Sequence, residues 1–226
     1  MTTGHHPVFL FDLDGTLVDS VYQHVLAWQE ALEAEGIELS VWRIHRKIGM
    51  SGGLFTHQLL RETGLAISDE RIQRLRRRHA EAYRRLSSRI RPLPGAVALL
   101  SWLSDAGIPW NVATSGRLET ADVTFDTLGI DRGRIPVVTR DQVEHGKPDP
   151  DLFIAAAERL GTTTSRSMVV GDSIWDMIAA VRCGAIGIGL MSGGYGADEL
   201  RQAGALRVYD DPADLLRHID EVGGRR

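Results

Sequence analysis

The chain has 226 residues, 43% hydrophobic and 25% charged, with a formal net charge of -4, the composition of an ordinary globular protein with room for one core and an inserted segment. That balance gives no electrostatic reason to expect nucleic acid or an anionic membrane as a partner, and no run approaches the roughly twenty apolar residues that span a bilayer. The N-terminus lacks a signal-peptide pattern and the lone Cys183 forms no intrachain disulfide, so a cytoplasmic, reducing location is expected.

His5-His6 reads as a surface pair. Residues 7–11 then form an apolar run that reads as a buried strand. The run ends in Asp12 and Asp14, with Gly15 behind them. Alternate residues at a strand end project to one side. An unpaired buried carboxylate costs several kcal/mol, so the two acids must face water, a cation or a substrate. Asp-x-Asp-Gly also occurs in turns and calcium loops. A calcium loop needs further oxygen ligands and a closing Glu about twelve residues from its start, and Val21, Tyr22 and Gln23 lie in that region.

From Ser20 to about Ser88 there is no strand pattern. Four helical segments are predicted near 20–35, 40–46, 53–63 and 69–87. Asp19 and Ser20 suit a helix start, and Val21, Val25, Leu26, Trp28, Ala31 and Leu32 follow at helical spacing. The last segment carries Arg71, Arg74, Arg76, Arg77, Arg78, Arg84 and Arg85. With Glu70 and Glu81 among them, it reads as a solvated face rather than a nucleic-acid stripe. Arg91-Pro92-Leu93-Pro94-Gly95 reads as a stiff linker. Beyond it, strands at 110–114, 136–139, 167–171 and 185–190 alternate with helices near 95–106, 117–128, 149–160 and 173–182. That alternation predicts parallel βαβ units. The expected fold is α/β: a Rossmann-like parallel sheet from 1–19 and 89–226, interrupted by an all-helical insert at 20–88.

Ligands of an open α/β sheet bind outside the carboxyl ends of its strands, and polar residues gather there. Asp12 and Asp14 follow the first strand. Thr114, Ser115 and Gly116 follow the second and open a helix, a ready anion site. Lys147 lies in the next loop, and Asp172 follows the fourth strand with Asp176 one turn on. Lys47 and Lys147 are the only lysines among 26 basic residues, so each attracts interest. Asp12, Asp14, Asp172 and Asp176 make a hard-oxygen site suited to Mg²⁺. Lys147 neutralises both a phosphate and the crowded carboxylates. These parts match phosphoryl transfer.

Four motifs in order, Asp12-Leu13-Asp14-Gly15-Thr16, Thr114-Ser115-Gly116, Lys147-Pro148 and Gly171-Asp172-Ser173-Ile174-Trp175-Asp176, make the chain resemble a haloacid dehalogenase-superfamily phosphohydrolase. The resemblance is to the branch with a helical cap after the first strand, which holds phosphoglycolate phosphatases and β-phosphoglucomutases. It implies Asp12 as nucleophile and Asp14 as general acid/base. It implies Mg²⁺ held by Asp12, the Asp14 carbonyl and Asp172, with Asp176 in support. Thr114 and Lys147 would grip the phosphoryl group, and a small phosphorylated metabolite would be the substrate. Lys147–Pro148 is a candidate cis peptide. Asp19 and Ser20 coincide with the family's cap hinge, and His24 matches a cap-hinge histidine of the mutases, against its alternative as a packed or surface residue. Ser115, Gly116, His24, Lys47, Ser51 and Gly52 are candidate substrate contacts. Arg43, His45, Arg46 and Lys47 offer cations near the cap loop, although several of them would also suit a solvated helix.

Asp14 argues against a dehalogenase, which has no leaving alcohol to protonate. A phosphonate hydrolase pattern wants a lysine after the cap glycine, where this chain has Lys47 before Gly49. A mutase would carry an arginine where Gly52 stands, and Glu-Asp where Gly171-Asp172 stands. A phosphatase is expected, with a sugar-phosphate mutase and a non-catalytic phosphometabolite-binding module as the alternatives.

Overall fold

The computed structural model describes residues 7–64, 68–129, 133 and 135–224; His5 and His6 lie outside them. In chain order the main elements begin with β1 (Val8–Phe11), β2 (Val18–Asp19), α1 (Val21–Glu33), α2 (Val41–His45), α3 (Gly52–Thr63), α4 (Asp69–Leu86), β3 (Arg91–Pro92) and α5 (Ala96–Asp105). They continue with β4 (Trp110–Ala113), α6 (Leu118–Asp126), β5 (Val137–Val138), α7 (Asp151–Arg159), β6 (Ser167–Gly171) and α8 (Ile174–Arg182). The chain ends with β7 (Ile186–Leu190), α9 (Ala197–Gln202), β8 (Ala205–Tyr209) and α10 (Pro212–Arg217).

The main sheet runs β5-β4-β1-β6-β7-β8, and every neighbouring pair is parallel. Parallel neighbours need long crossovers, which the helices supply. All four β1 residues are buried because the strand is covered on both faces. Phe9 and Phe11 face Leu99 and Leu103 of α5, Phe125 of α6 and Leu215 of α10. Val8 and Leu10 face Phe153 and Ala156 of α7 with Ala179 and Ala180 of α8. Each such large side chain contributes about 1.5–3 kcal/mol by leaving water. Phe11 lies beside Val112 and Val170, so β1, β4 and β6 end at a common rim.

Two features differ from the sequence-based expectation. β8 carries no apolar run: Leu206 and Arg207 are exposed on this edge strand. The 91–95 segment is no free linker, since β3 pairs antiparallel with β2, Val18 opposite Pro92 and Asp19 opposite Arg91. That two-stranded neck joins the sheet to the inserted helices.

α1 and α4 pack along each other around Val25, Trp28, Leu32 and Leu75, closed by Ile44 and Phe55. Ala27, Ala82 and Tyr83 belong to the main core instead, which fuses the base of the cap to the sheet domain. The cap loop also touches the core directly. The Arg46 guanidinium lies 2.5 Å from Glu199, the Tyr195 hydroxyl donates to the Arg46 carbonyl at 2.8 Å, and His45 Nε2 donates to the Gly193 carbonyl at 2.8 Å. Among the described residues no helix is long and apolar enough to cross a membrane.

Candidate active site

Asp12 and Asp172 follow β1 and β6, and Asp176 sits in the first turn of α8. Their carboxylates present oxygens within 4.8 Å of one another, and all three residues are buried. Lys147, which is 0% exposed, reaches them from the loop before α7. Its Nζ donates to Asp12 Oδ1 at 2.5 Å and lies 2.7 Å from Asp176 Oδ1. The Lys147–Pro148 peptide is cis, as the motif led one to expect. Burial works against the Lys147 charge, but Asp12 and Asp176 outweigh it and hold the ammonium above its ordinary value. Burial likewise pushes Asp12 up to about 7, with Lys147 opposing and Asp176 adding to the rise. Asp172 is pushed well above its usual range by burial, then by Asp176 and Asp12.

Asp172 is set tightly in place. Thr16 donates to its Oδ1 at 2.8 Å. A Cβ on Gly193 would lie 1.7 Å from its Oδ2, and one on Gly15, at φ +83°, would lie 2.4 Å from it. Only glycine permits that approach. Asp176 has a second task, since its Oδ2 accepts from the Ser173 hydroxyl at 2.5 Å and the Ser173 amide at 3.2 Å in a capping box. Three buried carboxylates facing one ammonium leave excess negative charge in a low dielectric. An all-oxygen set in that state fits a hard divalent cation.

Asp14 sits one turn of chain beyond Asp12. Ser20 stands at the N-cap of α1 yet makes no side-chain cap bond; its hydroxyl donates to Asp14 Oδ1 at 2.6 Å. His24 Nε2 lies 3.2 Å from the same oxygen. His24 therefore touches the candidate acid and is no surface histidine. Burial pulls the Asp14 carboxyl upward, but His24, Ser20 and Lys147 outweigh it and hold the group below its usual range. Behind His24, His79 Nε2 lies 3.1 Å from Nδ1, and Tyr83 stacks on the ring with centroids 3.9 Å apart. Burial, reinforced by His24, holds His79 well below its usual value, so that ring stays neutral. His79 and Tyr83 went unnoticed in the sequence. They share the buried face of α4 with Ile72, Leu75 and Ala82, a helical spacing that the many arginines mask.

Asp12, Asp14 and Thr114 open into a cleft of ≈ 430 Å³ between cap and sheet. Thr114 Oγ1 accepts the Gly116 amide at 2.9 Å. That amide is thus engaged by Thr114 and not free for an anion, while the Thr114 hydroxyl proton stays available. Ser115 and Gly116 line the cleft, and Ser115 donates to the Gly49 carbonyl of the cap loop at 3.0 Å. Gly52 and Lys47 line it too, Lys47 with its ammonium 2.6 Å from Glu62. Ser51 does not: it is buried, caps α3 by accepting the Leu54 amide at 3.4 Å, and donates its own amide to the Lys147 carbonyl at 3.1 Å. Ser51 thus contacts the Lys147 loop from outside the cleft lining. Arg43, His45 and Arg46 also lie outside the cleft lining, since Arg46 and His45 are spent on the core and Arg43 stacks over Trp42. Beside Lys47, the cations that face the cleft are Arg76, Arg77 and Arg84 of α4 with Arg117 and Arg140.

A model of the haloacid dehalogenase-like hydrolase family matches residues 6–184. The chain is 34% identical over 178 residues to hexitol phosphatase A of Escherichia coli, covering 78% of this chain and 79% of the relative. It is 31% identical over 215 residues to phosphoglycolate phosphatase of Rhodospirillum rubrum, covering 91% and 88%. Among solved structures, a hydrolase from Pseudomonas syringae superposes with a TM-score of 0.95 at 57% identity, over 96% of this chain and all of that one.

Proposed function

This chain belongs to the haloacid dehalogenase-like hydrolase family, and we propose that it is a Mg²⁺-dependent phosphatase that cleaves a small phosphomonoester through an aspartyl phosphate on Asp12. The observation that carries the reading is the buried Asp12–Lys147–Asp176 bridge beside Asp172, opening through Asp12 and Asp14 into the cleft. The relatives named above as phosphatases support it. The working division keeps 1–19 and 89–226 as the sheet domain and 20–88 as the cap.

Mg²⁺ would be held by Asp12, Asp172 and the Asp14 carbonyl with Asp176 in support, and when bound it neutralises charge on the phosphoryl oxygens. Lys147 and the Thr114 hydroxyl bind and orient the phosphoryl group. An Asp12 carboxylate oxygen attacks phosphorus and the bond to the leaving oxygen breaks. Asp14 gives that oxygen its proton. In the resting site Asp14 is held as a carboxylate; the arriving phosphate dianion raises its proton affinity and readies it as an acid. In the second half Asp14 takes a proton from water, the water oxygen attacks phosphorus, and the Asp12–phosphorus link breaks. Phosphate leaves and Asp12 is again a carboxylate.

A cavity of ≈ 430 Å³ suits a small metabolite. Gly52, with no heavy atom near its missing Cβ, provides none of the charge a mutase places there. The test is phosphate release from a panel of phosphoglycolate, sugar phosphates and nucleoside monophosphates, with Mg²⁺ and with chelator. Release that needs Mg²⁺ and vanishes in Asp12→Asn, with a native circular-dichroism spectrum, is expected. Full activity of Asp12→Asn would overturn the nucleophile assignment.

A further inference from the structure

We propose that Arg76, Arg117 and Arg140 form a second anion site in the cleft, and that the substrate is a phosphomonoester bearing a further acidic group, a carboxylate or a second phosphate, that docks there. The proposal rests on the phosphatase reading above and names its substrate class.

All three arginines line the same cleft as Asp12, Asp14 and Thr114. They come from separate parts of the chain: Arg76 from the middle of α4, Arg117 from the turn before α6, and Arg140 from the loop after β5. The main chain ties two of them together, because the Arg140 amide donates to the Gly116 carbonyl at 3.0 Å. Arg140 is held by carbonyls, donating to those of Val143 at 2.6 Å and Glu144 at 2.8 Å. Its stem passes 2.9 Å from where a Gly146 Cβ would stand, next to Lys147. Carbonyls fix a guanidinium without neutralising it. Asp141 accepts from Arg117 at 2.7 Å and from the Leu118 amide at 2.9 Å, so Arg117 shares one carboxylate that is itself divided between two donors.

Arg76 is left over. It is half-buried, reaching across the start of α3 near Gly53. Among the described residues it forms no ion pair and no hydrogen bond, whereas Arg71, Arg74 and Arg78 on the same helix are matched to Glu35. Burial, then Arg117 and Arg140, hold its guanidinium below the ordinary value, with only Asp69 in opposition. Of the other cleft cations, Lys47 is paired with Glu62 and Arg84 with Glu119, while Arg77 is exposed to solvent. Glu81 lines the mouth but is exposed and is not among the charges acting on Arg76. Bringing like charges together and desolvating one is unfavourable unless an anion offsets it. The transferring phosphoryl group belongs with Lys147, Thr114 and the carboxylate cluster, so the anion here is another part of the same substrate. Guanidinium forks suit carboxylate and phosphate alike.

The experiment compares matched pairs: phosphoglycolate against hydroxyethyl phosphate for the carboxylate, and glucose bisphosphate against glucose monophosphate for the phosphate. A charge-assisted contact predicts about tenfold or greater kcat/KM for the acidic member of one pair. Arg76→Gln should shrink that ratio by a similar factor, and Arg76→Lys should restore much of it. Calorimetry of the same pairs on Asp12→Asn protein, with and without Arg76→Gln, should give the same preference in Kd. Equal kcat/KM and Kd within both pairs, or a uniform loss for all four esters in Arg76→Gln, would overturn the second site and leave the phosphatase standing. If no ester releases phosphate with Mg²⁺ the phosphatase reading falls, and calorimetry then decides the anion site alone. Transfer of phosphate from the bisphosphate to a monophosphate, without release, would replace the phosphatase by a mutase and retain the site.

Discussion

Lys147 is the residue on which the site turns. It is fully buried and faces Asp12 and Asp176. Lys147→Met keeps the volume and removes the charge, leaving two buried carboxylates unpaired. A loss of roughly 3–5 kcal/mol of stability is expected, the range for breaking a buried pair. Mg²⁺ should recover part of it, which chemical denaturation with Mg²⁺ and with chelator would show. Asp12 makes a related prediction. Its carboxyl rises from 3.8 to about 7 on folding. A carboxyl raised in the folded state binds more protons there than in the unfolded chain, so the Asp12 contribution to the stability of metal-free protein falls as pH rises from 3.8 through 7. Mg²⁺ competes with that proton, so the rise in Tm on adding Mg²⁺ should grow over the same interval and then level off. A Tm increment that shrinks as pH rises would contradict the assignment of Asp12 to the metal.

At the scale of elements, α4 has three faces with three tasks. Ile72, Leu75 and Tyr83 pack inward, Arg76 faces the cleft, and Arg71, Arg74 and Arg78 converge on Glu35 at the end of α1's turn. Hydrogen bonding from Arg74, with Arg78 adding, holds Glu35 below 4.5 despite opposing burial. A carboxyl lowered in the folded state stabilises above its unfolded value and loses that contribution as pH falls. Glu35→Gln should therefore lower Tm modestly at neutral pH, and the difference should close as pH drops below 4.5. A difference unchanged in acid would show that Glu35 acts through packing. Gly193 belongs here too, because the turn after β7 exists at that spot only without a Cβ. Gly193→Ala should keep the sheet but displace Asp172, visible as a loss of the Mg²⁺-induced Tm increment larger than the loss of Tm itself.

For the whole molecule, the cap loop lies against the core through Arg46–Glu199, His45–Gly193 and Ser115–Gly49. The cleft is then ≈ 430 Å³, bounded by Trp28, Phe55 and Met50 on the cap side. A cleft of this size favours small esters over polymers. A phosphopeptide should be turned over at least about a hundredfold less efficiently than the best small ester, since binding energy from the enclosed cleft is then lost. Comparable kcat/KM values would mean that the cap stands open during turnover.

The strands β1, β4, β6 and β7, every helix of the cap and the Asp12, Asp14, Lys147 and Asp172 positions were legible in the chain, because burial on two faces writes apolar runs and chemistry writes short local motifs. β8 was not legible, since an edge strand tolerates Leu206 and Arg207 in water. β2 and β3 were not, since two-residue strands have no period. The sequence itself determined the α/β alternation, the helical insert and the acidic cluster at the strand ends, each a property of neighbours along the chain. Tertiary structure alone decided that Ser51 contacts the Lys147 loop, that Ser20 and His24 serve Asp14, and that Arg76 faces the cleft while Arg43 and Arg46 do not. Those outcomes depend on which charges meet across distant segments, and an arginine with a carboxylate in reach looks the same in a sequence as one left without it.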